Sequence, residues 1–445
     1  MHQKTTIMDE SHNPNTPLTV PKPDQYVGLR ALRGIWRRRS IIGALEVMHA
    51  EMGDVFRLSV PGFNPIMLVG PEASRFILIT SRDDLRWRME REPITILLRH
   101  GVLVEDGESH DTIRRAMNPA LHKRMLGGYV SAMWRCADQV MADWHDGGVF
   151  DMLVEMRRVA LLILTETLFG VDFTPDMRRL WPGVLRAVRY ISPGPWVLWR
   201  GLSHRGYDHN LRRIDDYLYR IIAQRRAENY TDRDDMLSLL LQAGMDDNLI
   251  RDQLMTMLIA GHDTSTASLA WALYLLGAHP EAQTRARAEI DAVLGAEPPQ
   301  PSQLGDLIYT GQVIDETLRL YPPIHLGSRF AAQDLEFKGY EIPAGQRVLY
   351  SIYLTHRHPE YWPHPARFDP DRFAPGIRHQ PYTYLPFGGG PRNCLGAAFA
   401  QVETKVVLAR ILQRYELELV KDNVHPHMGA TLEPAPGVTM RVRQR

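Results

Sequence analysis

The sequence predicts a mainly α-helical fold with a minor β portion. Three observations carry this. From Ile113 to Leu320 the apolar residues recur mostly at helical spacing. Short strand-like runs set off by Gly and Pro turns flank that stretch on both sides. No internal repeat or low-complexity linker breaks the chain, so one large domain is expected over 26–445.

The elements follow in order. Residues 1–25 are polar and proline-containing, and a flexible tail is expected there. They lack the basic-then-apolar layout of a signal peptide and the roughly 20 apolar residues of a membrane span. A basic stretch, Arg30, Arg33, Arg37, Arg38 and Arg39, reads as a solvated helix face or as a contact for anionic lipid or a partner. Val55–Val60 and Pro65–Val69 read as strands around a Gly62-Phe63-Asn64 turn. A long helix is expected from about Asp247 to Ala278, closed by Pro280. Leu335–Phe337 and Arg347–Ile352 are expected strands, with turns at Gly339 and at Pro343-Ala344-Gly345. A last helix is expected from about Leu395 to Tyr415. Its Leu395, Phe399, Val402, Val406 and Ala409 step by 4, 3, 4 and 3, one stripe along a helix.

Composition narrows the function. The 445 residues hold 52 Lys+Arg against 52 Asp+Glu, a neutral balance that argues against a general nucleic-acid binder. Hydrophobic residues at 44% supply a large core and exclude wholesale disorder. Cys136 and Cys394 pair at most once, so disulfides do not hold the fold, which fits a reducing, cytoplasmic setting. The sequence has no P-loop, no HExxH, no GxSxG and no CxxC. Two His-x-His pairs, His356/His358 and His425/His427, are within chance expectation for 18 histidines.

The decisive stretch is Phe387-Gly388-Gly389-Gly390-Pro391-Arg392-Asn393-Cys394-Leu395-Gly396. Three glycines and a proline exclude ordinary helix or strand and make a tight loop. Cys394 then stands at a helix start, where the dipole and free N–H groups favour a thiolate. Thiolate is an electron-donating ligand of haem iron. Arg392 is placed to pair with a haem propionate. Cys136, in the helical-looking Met133–Ala142 segment with no glycine loop, reads as a small buried hydrophobe.

Ala260-Gly261-His262-Asp263-Thr264-Ser265 lies inside the long helix. Gly261 weakens the helix there, and a hydroxyl can draw a carbonyl out of the ladder. Together they suggest a groove for a small ligand, with an acid beside an alcohol as a proton route. Glu316 and Arg319 share one helix face at i,i+3, as do His110 and Arg114 at i,i+4.

These motifs resemble the cytochrome P450 superfamily, over about residues 40 to 440 and in family order. Phe-x-x-Gly-x-Arg-x-Cys-x-Gly is its haem-ligand signature, and Phe387, Gly390, Arg392, Cys394 and Gly396 fill it. The resemblance implies a soluble, bacterial-type haem-thiolate monooxygenase with haem b between the long helix and the cysteine-loop helix. It makes Cys394 the axial iron ligand. It places Arg392, His110, Arg114, Arg329, Phe387, Gly388, Gly396 and Ala260 around the cofactor. Asp263 and Thr264 become the acid–alcohol pair, with Gly261 beside them. Glu316, Arg319 and Arg372 become a buried structural lock. O2 is then the co-substrate, with NAD(P)H electrons arriving through separate proteins, a ferredoxin or flavodoxin and its reductase, because no flavin or iron–sulfur domain follows. Lys123, Arg124 and Lys405 are candidate docking cations for such a partner.

By the same resemblance the substrate pocket draws on Met89–Val104, Trp181–Trp199, the helix before Gly261, Pro323–Gly327 and Met428–Leu432. Ile94, Leu97, Leu98, Val102, Leu258, Ile324, Leu326 and Met428 are its candidates. They are mostly apolar, which implies a lipophilic substrate, with a long-chain fatty acid or a terpenoid as the first expectation. Epoxidation or coupling is the main alternative outcome. A peroxide-driven peroxygenase or a non-catalytic haem sensor fits less well, because the chain keeps Asp263 and Thr264.

Overall fold

A computed structural model of the chain describes residues 18–192, 208–295 and 298–445. Its centre is one helix, Asp247–Ala278, 32 residues long. Local signals set both ends. Asp246 accepts from the Asn248 and Leu249 N–H groups at 2.9 Å, and Pro280 opens the next helix, Pro280–Val293. Its residues are buried on nearly every side, as befits a helix running through a core. The helices Met152–Leu164, Asp208–Ala227, Ile308–Leu320 and Ala397–Arg414 pack against it.

The β portion is peripheral. The largest sheet has five strands in the order Val55–Arg57, Ile66–Leu68, Arg347–Ser351, Leu326–Ala331, Leu85–Arg86. The expected hairpin forms with Val55 opposite Leu68, and Val60 bridges Phe63 across the turn. A three-stranded sheet joins Val149–Asp151, Thr439–Gln444 and Tyr415–Leu419. Two ribbons complete the set, Leu335–Phe337 with Tyr340–Ile342 and His425–Met428 with Leu432–Ala435. Trp271 ties the long helix to the second ribbon, donating from Nε1 to the Leu432 carbonyl at 2.8 Å.

Residues 1–17 of the expected tail lie outside the described residues. Beyond them the chain is held: Leu18 donates to the Gly339 carbonyl at 2.7 Å, Val20 is buried, and Asp24 caps the Gln25–Arg38 helix. The last long helix begins at Ala397, two residues after the expected Leu395, because Gly390–Arg392 first makes a tight 3-10 turn. Among the described residues no helix is long and apolar enough to cross a membrane.

Candidate active site

The cysteine loop is fixed by backbone contacts. Gly388 N–H donates to Leu385 O at 3.0 Å, Asn393 to Gly390 O at 3.1 Å, and Cys394 to Phe387 O at 2.8 Å. Gly390 has φ +68°, and a Cβ there would stand 2.5 Å from the Leu78 carbonyl oxygen, so only glycine fits. Gly396 caps the Ala397–Arg414 helix, which leaves Cys394 three residues before its first turn. The expectation of a favoured thiolate needs correction. Burial pushes the Cys394 thiol above its usual value, against the opposing pulls of the Gly396 N–H and Arg114. A metal ion taking this ligand displaces its proton. Cys394 is nonetheless exposed on one side, while Phe387, Gly388, Gly389 and Leu395 around it are half-buried.

Cations gather beside the loop. Arg114, on the Gly107–Met117 helix, donates to Asn393 Oδ1 at 2.8 Å. Arg392 binds the Glu105 carbonyl and Asp106 Oδ1, the latter at 2.8 Å. Arg329 is buried on the Leu326–Ala331 strand. It lies 4.7 Å over the Trp87 ring and donates to the Ser328 carbonyl at 2.7 Å. His110 is buried with Nδ1 2.8 Å from Asp111. Burial lowers all four groups, and the neighbouring arginines lower His110 and Arg392 further. Among the described residues Arg114 and Arg329 have no carboxylate partner. Two guanidiniums without counter-ions beside an accessible sulfur fit haem b, which carries two carboxylates and an iron that takes thiolate.

The long helix shows the matching surface. Ala260, Gly261 and Thr264 are half-buried in a stretch whose other residues, His262, Asp263 and Ser265 among them, are buried. Thr264 Oγ1 donates to the Ala260 carbonyl at 2.7 Å, the diversion expected of that hydroxyl. Gly261 carries a different constraint from the one expected. A Cβ there would come within 2.6 Å of Leu164 Cδ1, so its bareness serves close packing on the Met152–Leu164 helix. Asp263 turns away from solvent and accepts from Thr431 Oγ1 at 2.6 Å, while its Oδ1 has no partner among the described residues. Burial first, and then the nearby Glu433, raise Asp263 to about 7, against Thr431 and Arg157, which lower it. Arg157 pairs with Glu433.

Glu316, Arg319 and Arg372 are brought together. Arg319 Nε lies 2.6 Å from Glu316, with both side chains 0% exposed, and Arg372 Nε lies 3.5 Å from the same carboxylate. Arg319 also donates to the carbonyls of His356, Pro365 and Arg367, at 3.0, 2.8 and 3.1 Å.

The pocket candidates scatter more. Leu97, Leu98 and Leu258 are buried in the main core, with Ile94 and Val102 packed on it. Leu326 and Met428 pack on a separate cluster with Ile42, Leu45 and Leu432. Ile324 is exposed. Residues 193–199 of the expected pocket segment lie outside the described residues. Lys405 is not a free docking cation: it is half-buried and donates to the Leu304 carbonyl at 2.8 Å. Arg124 is exposed, and the Lys123 side chain lies outside the described residues. His356 accepts from Leu385 N–H at 2.9 Å while His358 turns to Asp54 at 3.1 Å, so that pair does not converge.

Sequence reasoning missed Thr431, Glu433 and Arg157 around Asp263, Asp106 beside Arg392, and Glu403. Glu403 is fully buried on the Ala397–Arg414 helix and accepts from Ser265 Oγ at 2.6 Å; burial raises it to about 8.

A family model described as Cytochrome P450 matches residues 29–440. A Mycobacterium tuberculosis relative named cytochrome P450 139 is 32% identical over 428 residues, 90% of this chain and 97% of its own. Cyclooctatin synthase of Streptomyces melanosporofaciens is 32% identical over 405 residues, 87% of this chain and 86% of its own. Cyclooctat-9-en-7-ol 5-monooxygenase of the same organism is 35% identical over 347 residues, 73% and 74%. Among solved structures, retinoic acid-bound cyanobacterial CYP120A1 has TM-score 0.84 and 25% identity over 97% of this chain and 100% of its own. A cytochrome P450DA heme domain has TM-score 0.85 and 27% identity, covering 97% and 98%.

Proposed function

The chain belongs to the cytochrome P450 family, and from that premise we propose that it hydroxylates a lipophilic, terpenoid-type small molecule. It is an oxidoreductase of the monooxygenase class that uses haem b, O2 and NAD(P)H-derived electrons. When bound, the haem activates O2 with two electrons and two protons, placing one oxygen atom in the substrate and the other in water. The chain's own residues hold the parts and meter the protons.

In this reading Cys394 would supply the sulfur that binds the iron, held in place by the glycine loop. Arg114 and Arg329 would hold the propionates, with Arg392 and His110 close by. Thr264, whose proton is committed to the Ala260 carbonyl, keeps its oxygen free to accept a hydrogen bond at the reacting face. Asp263 holds a proton near neutral pH and passes it on toward Thr264. It is reloaded from the Glu433 side, where Glu433 and Arg157 stand only partly buried. Electrons arrive from a separate ferredoxin or flavodoxin and its reductase.

The observation that carries the site assignment is the conjunction of an accessible Cys394 with a half-buried and a buried guanidinium, Arg114 and Arg329, that reach no carboxylate among the described residues. The substrate class rests on the apolar pocket candidates, and on relatives whose names give cyclooctat-9-en-7-ol and retinoic acid. Those names favour a terpenoid over a fatty acid.

The test is a titration of the ferric holoenzyme with terpenoid alcohols and acids and with long-chain fatty acids, read as the low-to-high-spin shift. Turnover with NADPH, a ferredoxin and its reductase follows. A hydroxylated terpenoid product supports the reading. Spin shifts and product with fatty acids alone would overturn the substrate class, and no substrate-dependent NADPH consumption would overturn the activity.

A further inference from the structure

The Gln25–Arg38 helix presents two apolar faces, and one has no cover among the described residues. Its inner face is committed: Val27 and Ala31 are buried, and Gly34 meets Gly43 of the Ile42–Met52 helix backbone to backbone. A Cβ on Gly34 would stand 2.4 Å from the Gly43 carbonyl oxygen, so the two helices are locked in contact. The outer face carries Tyr26, Leu29, Leu32 and Trp36, exposed by 76%, 59%, 63% and 86%. Their steps of 3, 3 and 4 lay them in one stripe along the helix. Single exposed apolar residues are ordinary on a protein surface; a contiguous stripe ending in an aromatic at each end is not.

The charges on the helix itself have one sign. The helix contains no acidic residue. Arg30 and Arg38 are occupied by Glu51 and Glu46, at 2.7 and 2.9 Å, on the Ile42–Met52 side. Arg33, Arg37 and Arg39 are exposed and have no ion-pair partner among the described residues. An apolar stripe of Tyr, Leu and Trp bordered by free arginines matches an anionic bilayer surface. The apolar side chains enter the acyl boundary and the guanidiniums meet phosphates. No described helix is long and apolar enough to span, so the contact lies in the interfacial plane. Behind it, Ile42 and Leu45 of the partner helix share an apolar cluster with Leu432, against which the pocket candidates Leu326 and Met428 pack.

We propose that the Gln25–Arg38 helix docks this enzyme on anionic lipid membranes through Tyr26, Leu29, Leu32 and Trp36, flanked by Arg33, Arg37 and Arg39. The proposal is independent of the substrate assigned above. The experiment is cosedimentation of the full-length holoenzyme with vesicles of equal phosphatidylcholine and phosphatidylglycerol, and with phosphatidylcholine alone, at low and high salt. The protein is expected to bind the phosphatidylglycerol vesicles, to release in high salt, and to bind pure phosphatidylcholine weakly. L29S/L32S/W36S should lower binding at least tenfold with the haem spectrum unchanged. R33Q/R37Q/R39Q should remove the preference for phosphatidylglycerol. Failure of the wild type to bind either vesicle, or equal binding by the triple serine variant, would overturn the proposal. So would a wild-type dimer in sedimentation velocity that L29S/L32S/W36S dissociates without any change in lipid binding, because the stripe would then be covered by a second copy.

Discussion

Two clusters of charge in this molecule, one buried and one partly buried, are built on opposite terms. In the first, Glu316 meets Arg319 and Arg372, and the carbonyls of His356, Pro365 and Arg367 absorb the rest of the Arg319 fork. In the second, Arg114 and Arg329 sit beside the cysteine loop and bind only neutral oxygens, while Asp106 serves Arg392. In the first both guanidiniums reach a carboxylate of the chain, so its charges hold the fold. In the second, Arg114 and Arg329 reach none among the described residues, which is the basis for proposing that they hold an anion. Partners therefore distinguish arginines committed to the fold from those proposed to bind a ligand.

Four substitutions probe that contrast, the largest effect first. Glu316→Gln leaves Arg319 buried without its counter-charge and should cost about 3–5 kcal/mol of stability, read by denaturant unfolding. Unchanged stability would mean the first cluster is not a lock. Glu403 is a third case, a buried acid with one hydroxyl and no cation partner among the described residues, raised by burial to about 8. The folded protein keeps that proton while the unfolded chain releases it near the ordinary carboxylate value. Stability should thus fall as pH rises from about 4.5 toward 8, by about 1.4 kcal/mol for each unit of the shift that is realised. Glu403→Gln should flatten the Tm-versus-pH curve over that window; an unaltered slope would contradict the assignment.

Arg329→Met should leave the haem-free protein as stable as before or more so. It should speed haem loss to an acceptor protein by about tenfold or more, the worth of a charge-assisted hydrogen bond at about 1.5–3 kcal/mol. Loss of haem-free stability instead would collapse the contrast between the clusters. The smallest effect is expected at Glu433. Its negative charge helps hold Asp263 at about 7, so Glu433→Gln should move Asp263 downward. If Asp263 feeds the proposed proton route, coupling of NADPH to product should then fall at a lower pH than in the wild type. A profile that stays in place would remove Glu433 from the proton route.

Local signals made part of this legible. The capped and proline-bounded Asp247–Ala278 helix, the Val55–Leu68 hairpin and the glycine loop are set by residues adjacent in sequence, so composition and spacing revealed them. The partners that tune the site were hidden because they come from far along the chain. Ser265 meets Glu403 across 138 residues, Asp263 meets Thr431 across 168, and Arg157 meets Glu433 across 276. Lys405 was misread for the same reason: helical periodicity gives its face but not the Leu304 carbonyl it reaches. Gly261 was read for what it opens, whereas its tightest constraint is the Leu164 side chain beside it.

The proposed site is centred on Cys394. The most direct measurement is a carbon monoxide difference spectrum of the dithionite-reduced protein, taken with wild type and Cys394→Ala side by side. A Soret band at the red-shifted position characteristic of thiolate-bound haem, present in the wild type and lost in the variant, is the predicted result. A wild-type band at the position typical of histidine-bound haem, or the red-shifted band persisting in Cys394→Ala, would contradict it.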